Sequence, residues 1–372
     1  MMSSPFSIAV PDETIDDLRE RLLRTRFTTP SRPGHWDGGV DPAYLAGLVG
    51  EWADGFDWRA VETRLNTLDQ RTAEVAGTSL HFVRASSGPD GAERLPILLM
   101  HGWPSSFVEM LPLVEALQAL AAPFEIIVPS LPGFLFSELP DAPLTREVMA
   151  DLVHALMTEH LGFERYGVFG GDIGGTVAAW LAAKYPEHVV GLYMIHPPFP
   201  AEFEAPVSDA EHDFLEEAER FDAEDGGYSA IMITRPDTVA AALIDSPAGL
   251  LAWIIDKYRD WSDCGGDLES RFDREGLLTV ATLYWATASI GTSFRQYVDY
   301  ESNRPRPLIT VPAGFTISNE DGLRDIPRSI AERSCSDIRV WHPPTSGGHF
   351  LAHEEPELMA GHLAEFFGTL RS

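Results

Sequence analysis

The chain has 372 residues and is 44% hydrophobic, enough for one large α/β unit or two intimately packed ones. Its 57 acidic against 27 basic residues give a formal net charge of −30, and Lys184 and Lys257 are its only lysines. Nucleic-acid phosphates and anionic membranes are bound by clustered Lys and Arg that release counterions, so both partner classes are excluded. An aromatic content of 10% also separates the chain from a disordered acidic tail. Cys264 and Cys335 are too few for a disulfide framework or a thiolate metal site, and as free thiols they suit a reducing compartment. The opening MMSSPFSIAV lacks the charged and apolar parts of a signal peptide. No apolar run reaches the ~18 residues that a membrane helix needs, so a cytoplasmic location is expected.

Residues 1–77 read as a helical segment, with helices over Asp12–Arg26, Ala43–Gly55 and Trp58–Leu68 and a Pro/Gly/Trp-rich loop from Pro30 to Val40. It has too little apolar sequence for a core of its own. From 78 onward short apolar runs alternate with helical stretches such as Val108–Ala119 and Arg146–His160, the pattern of a mostly parallel sheet flanked by helices. Strands are expected at Leu95–Met100, Phe124–Val128, Tyr166–Phe169, Val189–Ile195, Leu308–Phe315 and Ile338–Trp341. Between 201 and 302 the strand signal vanishes. Phe214–Phe221, Pro236–Leu243, Leu250–Tyr258 and Leu277–Tyr297 read as helices of an inserted cap. The sheet domain is therefore 78–200 together with 303–372.

The strongest local signal is Gly170-Gly171-Asp172-Ile173-Gly174, between an expected strand and an expected helix. Small residues around the central position permit a sharp strand-to-helix turn that holds one side chain in an exposed pose. Such turns usually present serine; here the residue is Asp172. A carboxylate displaces at saturated carbon to form an ester, so the change of residue changes the reaction class. The plain alternative is an aspartate that merely caps the helix. No complete GxGxxG is present, which disfavours dinucleotide binding.

His101-Gly102-Trp103-Pro104 follows the LPILLM strand directly. Main-chain N–H groups of Trp103 and Ile173 are placed to form an oxyanion hole, while His101 is read as a structural residue of the loop. Ser346-Gly347-Gly348-His349 follows the last strand, and its glycines allow a tight loop that presents His349 as a base. A carboxylate after the penultimate strand would orient that imidazole. Asp321 is the first choice, Glu320 its alternative, and Asp325 lies further from the strand end.

These motifs, in this order, resemble a microsomal-like epoxide hydrolase of the α/β-hydrolase fold. PFSIAVPDETIDDLRERLLRTRF resembles that family's N-terminal segment, and HGWP, PSLPGF, GGDIGG, GYSAIMITRPDTVAAALIDSPAGLLAWI and GGHF resemble its later motifs. The resemblance runs over nearly the whole chain. It implies a fold with an inserted helical cap and an N-terminal wrapping segment, no cofactor and no metal. Its substrates would be a small apolar epoxide and water, with a homodimer left open. It also implies two cap tyrosines that donate to the epoxide oxygen. Tyr228 stands in GYSAI, and Tyr297 matches the second, with Tyr300 as its alternative; Tyr258 and Tyr284 are read as packing residues. Two features depart from the family pattern: Ile173 replaces an aromatic residue, and SNEDGLRDIPR carries an acid pair where one acid is usual. A haloalkane dehalogenase would use the same nucleophile, but it needs no tyrosine acids and wants a tryptophan at the position of Ile173. A non-catalytic binding protein on this scaffold would have lost the nucleophile, base or tyrosines.

Overall fold

The computed structural model describes residues 3–32, 35–200, 206 and 208–370. Among them, one sheet is built from β1 Ser4–Pro5, β2 Asp69–Val75, β3 Thr78–Ser86, β4 Leu95–Met100, β5 Phe124–Pro129, β6 Tyr166–Gly170, β7 Val189–Ile195, β8 Ala313–Thr316 and β9 Ile338–His342. Their order is β1-β2-β3-β5-β4-β6-β7-β8-β9. The pairs β1–β2, β2–β3 and β3–β5 are antiparallel, and β5–β4–β6–β7–β8–β9 run parallel. The apolar runs explain the central strands: β6 and β7 are buried along their whole length, as strands covered by helices on both faces must be. Met100 pairs with Gly170 and Gly170 with Met194, so β4, β6 and β7 end level and their following loops meet at one edge.

Three expectations change. The N-terminal segment is not helical throughout: it supplies β1 and β2, and the expected boundary at 77–78 falls in the β2–β3 turn, where Ala76 and Gly77 have φ of 50° and 83°. The signal was weak because β2 does not alternate cleanly: Ala73 and Val75 are buried on one face and Gln70 on the other, with Asp69 and Glu74 exposed among them. The strand expected over Leu308–Phe315 narrows to β8; Ile309 makes only an isolated bridge to Cys335, and Pro312 has no N–H for a ladder. The cap helix expected over Leu277–Tyr297 is really Arg274–Thr287. It stops at Ala288, which takes a left-handed φ of 51°, and short helices Ile290–Ser293 and Arg295–Val298 follow.

The other cap helices are Asp209–Asp225, Gly227–Thr234, Pro236–Asp245 and Pro247–Trp261. The expected cap start at 201 lies outside the described residues. No single helix among those described is long and apolar enough to cross a membrane. The N-terminal helices Asp12–Leu23, Pro42–Asp54 and Trp58–Leu65 bury Leu18, Leu22, Leu48, Trp52 and Leu65 in the common core. They also strap the cap. The Trp52 indole N–H donates to Thr282 Oγ1 at 2.9 Å, and Arg21–Asp245 and Arg64–Glu275 pair at 2.6 Å.

Close backbone approach sets where β6 hands over to its helix, Asp172–Lys184. A Cβ on Gly174 would lie 2.3 Å from the Met100 carbonyl oxygen and 2.5 Å from that of His101, both main-chain atoms that cannot swing aside. Gly174→Ala is therefore expected to cost at least ~2 kcal/mol or to prevent folding, read as a lowered urea midpoint at unchanged slope.

Candidate active site

Gly171 is the N-cap of the helix Asp172–Lys184, and Asp172 takes φ 49°. That left-handed conformation costs a non-glycine residue on the order of 1–3 kcal/mol and persists where packing over-determines it. The packing here is visible: a Cβ on Gly102 would sit 2.4 Å from Asp172 Cβ, so only glycine lets the HGWP loop close on the aspartate. The Trp103 N–H donates to Asp172 Oδ1 at 2.9 Å. Ile173 follows in the first helical turn, where main-chain N–H groups have no partner within the helix.

His101 behaves as a structural residue. It is fully buried, its Nδ1–H donates to the Gly102 carbonyl at 3.0 Å, and its Nε2 accepts the Leu131 N–H at 3.1 Å, tying HGWP to PSLPGF. Burial lowers its pKa to about 4, which keeps the ring neutral.

His349 faces Asp172, with Nε2 4.0 Å from Oδ2, too far for a hydrogen bond. Its Nδ1–H donates to Glu320 Oε1 at 3.0 Å. Asp321, the first choice from sequence, does not reach the imidazole. It lies at the exposed Asp321-Gly322 turn and pairs with Arg324 at 3.1 Å, while Glu320 points inward at 7% exposure. Asp325 is likewise exposed and also lies beside Arg324. Ser318 Oγ accepts the Glu320 N–H at 3.3 Å and helps hold that carboxylate's loop.

The histidine loop is held by groups that sequence reasoning passed over. Glu354 Oε2 accepts the N–H of Gly348 at 3.0 Å and of Asp263 at 2.8 Å, and its Oε1 accepts that of Phe350 at 3.1 Å. The His349 N–H donates to the Trp261 carbonyl at 2.8 Å. An acid four residues beyond Phe350 was the available clue. Glu109, in the run SFVEMLPL, is buried close to Ser105 and Gly102, and desolvation raises its pKa to about 7. A single charge inside an apolar run is the signal that could have found it.

Tyr228 stacks on Trp103 (5.4 Å between centroids, 7° between planes), and Tyr297 meets both Trp103 and Tyr228 edge-on at 6.0 and 6.2 Å. Burial first, and then the nearby charge of Asp172, raise the pKa of Tyr228, while burial and its neighbours push Tyr297 well above the ordinary phenol value, so both remain donors. Tyr300 is 59% exposed, with the Arg146 guanidinium 5.7 Å from its ring centroid, and it lines the cavity that holds Tyr228. Tyr258 and Tyr284 are buried, with hydroxyls on Ser105 Oγ and the Ser105 carbonyl. Asp172, Tyr228, Glu320 and His349 line one cavity of about 840 Å³, within the usual size range for small-molecule sites. Among the described residues, Asp225, Asp256 and Asp260 form a group of acids with oxygens within 4.8 Å of one another, but the Lys257 ammonium already pairs with two of them.

Burial alone would lower the His349 pKa. Burial is the largest single influence, but Glu320, by charge and hydrogen bond, together with Asp172 and Glu109 outweighs it, so the value rises to about 9. Glu320→Gln should therefore let burial dominate and move the His349 titration well below 9, whereas Asp321→Asn should leave it in place. Imidazole NMR titration distinguishes the two carboxylates. Because the folded pKa lies above the ordinary 6.5, the charged imidazole stabilises the fold below that pH, and this contribution fades as pH rises through about 9.

Residues 3–110 match the family model described as epoxide hydrolase N terminus, and residues 96–234 match the one described as alpha/beta hydrolase fold. Epoxide hydrolase 1 of Sus scrofa is 30% identical over 411 residues, a match covering 98% of this chain and 88% of that protein. The crystal structure of juvenile hormone epoxide hydrolase from Bombyx mori superposes with a TM-score of 0.90 at 28% identity, covering 99% of this chain and 95% of that one. The Aspergillus niger epoxide hydrolase structure gives 0.87 at 30% identity, covering 100% and 97%. With this agreement over its whole length, the chain belongs to the epoxide hydrolases of the α/β-hydrolase fold.

Proposed function

We propose that this epoxide hydrolase converts an epoxide and water to a vicinal diol through a covalent alkyl ester on Asp172. The observation that carries the reading is the Asp172 carboxylate itself. One oxygen is held by the Trp103 N–H and the other faces His349 across 4.0 Å, in a cavity that also presents Tyr228. In the first step an Asp172 oxygen attacks an epoxide carbon, the ring C–O bond breaks, and Tyr228 and Tyr297 supply hydrogen bonds and a proton to the departing oxygen. An alkoxide is too basic to leave unaided, so protonated phenols suit it.

In the second step His349, oriented by Glu320, takes a proton from water that attacks the ester carbonyl carbon. The N–H groups of Trp103 and Ile173 receive the developing oxyanion. The ester C–O bond then breaks, the diol oxygen takes the imidazolium proton, and Asp172 is left as the carboxylate. Charge orders the two steps. While Asp172 is ionised it helps keep His349 protonated; esterification removes the charge from Asp172, and the imidazolium, its pKa lowered, returns a proton to the phenolate left by ring opening and is freed as a base. Apolar lining residues such as Phe199, Phe221, Leu323 and Ile326 fit an epoxide with a bulky apolar substituent.

Asp172→Asn is expected to lower diol formation by at least ~1000-fold, once deamidation back to aspartate is controlled for. His349→Gln should trap the ester as a protein mass increase equal to the whole substrate, and an unmodified protein mass would contradict the covalent reading. Halide release from a chloroalkane, followed beside diol formation, should be absent. In single-turnover experiments ester hydrolysis should accelerate with pH about a midpoint below 9, because Asp172 no longer carries charge at that stage.

A further inference from the structure

Lys257 is one of two lysines in a chain with 57 acidic residues, and its side chain is only 6% exposed. A buried ammonium is costly unless it is paired and its hydrogens are satisfied. Lys257 lies on the cap helix Pro247–Trp261, with Nζ bound to Asp225 Oδ1 and 3.1 Å from Asp256 Oδ2. Asp260 belongs to the same acidic group and also feels the Lys257 charge, and two aromatic rings lie beside the ammonium: Nζ is 5.3 Å from the Tyr228 ring centroid and 5.7 Å from that of Trp261.

This contact joins the proposed acid to the proposed base. The other Asp225 oxygen accepts the Trp261 indole N–H at 2.8 Å. Trp261 meets Tyr228 edge-on at 5.1 Å and the His349 imidazole at 4.8 Å. The phenol ring thus contacts both an ammonium held by two carboxylates and the indole of Trp103, whose main chain holds Asp172.

The charge is needed at this place. Besides burial, the carboxylates of Asp172, Asp225 and Glu320 all oppose ionisation of Tyr228. Yet passing its proton to a departing oxygen builds negative charge on the phenol. A desolvated cation within ~6 Å of an aromatic centroid is attracted to the ring, more strongly as the ring gains electron density. Lysine suits the position because it brings a compact point charge with three donors, where arginine brings a wide planar fork.

We propose that Lys257 is a positioning residue for ring opening: its buried ammonium, fixed by Asp225 and Asp256, holds the Tyr228 ring and favours transfer of the hydroxyl proton to the epoxide oxygen. As the C–O bond breaks, its electron pair goes to that oxygen, which takes the phenol proton, while the new bond forms between Asp172 and carbon. The inference rests on the alkyl-ester reading and concerns its first step alone.

The test follows ester formation on intact protein by rapid-quench mass measurement, with styrene oxide as probe, in enzyme carrying His349→Gln. Lys257→Met and Lys257→Gln, the latter keeping a donor for Asp225 without the charge, should each slow ester formation about tenfold. In enzyme with His349 intact, hydrolysis of the ester should change by less than ~2-fold under the same substitutions. With Tyr228→Phe, which keeps the ring but loses the hydroxyl, Lys257→Met should add less than ~2-fold to the slowing. Equal slowing with and without the hydroxyl, or equal effects on both steps, would show that Lys257 only shapes the cap and would overturn the proposal. Unchanged ester formation would overturn it as well. Absence of any ester in the His349→Gln parent would instead bring down the covalent reading, and this inference with it.

Discussion

Everything at the candidate site depends on how closely two stretches of main chain approach each other. The loop after β4 and the helix after β6 meet at Gly102 and Gly174, where a single added carbon would fall inside Asp172 in one case and inside the Met100 carbonyl in the other. The parallel β4–β6 register supplies the alignment, pairing Met100 with Gly170. The contact leaves Asp172 in a left-handed conformation, with its carboxylate on the Trp103 N–H. The strain is carried by the surrounding core, so the carboxylate is aimed before any substrate arrives.

Once that carboxylate is placed, electrostatics governs the remaining groups. His349 lies among Asp172, Glu320 and Glu109, and their combined charge overcomes the burial that would otherwise favour the neutral ring. Tyr228 and Tyr297 experience burial and carboxylate charge in the same direction and stay protonated. The same negative field thus holds a proton on the imidazole and on both phenols. The net charge of −30 takes little part in this, since solvent and salt screen distant surface charges within ~10 Å.

The cap and the N-terminal segment act as one support. Trp52, Arg21 and Arg64 bind cap helices from outside, while Trp261 and Asp263 bind the histidine loop from within. Asp263 Oδ2 accepts the Gly347 N–H at 3.0 Å and takes the Asn319 side chain at 3.1 Å, linking the loops that carry His349 and Glu320. A cap residue therefore sets the distance between two groups that belong to the sheet domain.

Much of this was legible in the residues. The buried strands LPILLM and VVGLYMI, the glycines around Asp172 and the glycines before His349 carry local signals, because backbone geometry and apolar period are properties of a few neighbouring residues. They determined the fold class, the order of the elements, the place of Asp172 and His349, and the structural part played by His101. The choice between Glu320 and Asp321 was not local. Adjacent residues of the same chemistry differ only in which way a loop turns, and that is decided by Ser318 and by Gly322, against which Phe221 packs. The strands of the N-terminal segment, the break at Ala288 that separates Tyr297 from the long cap helix, and the partners of Glu354, Glu109 and Lys257 were also settled only by tertiary structure. A buried charge or a broken helix takes its meaning from atoms distant in sequence, and no window of neighbouring residues contains them.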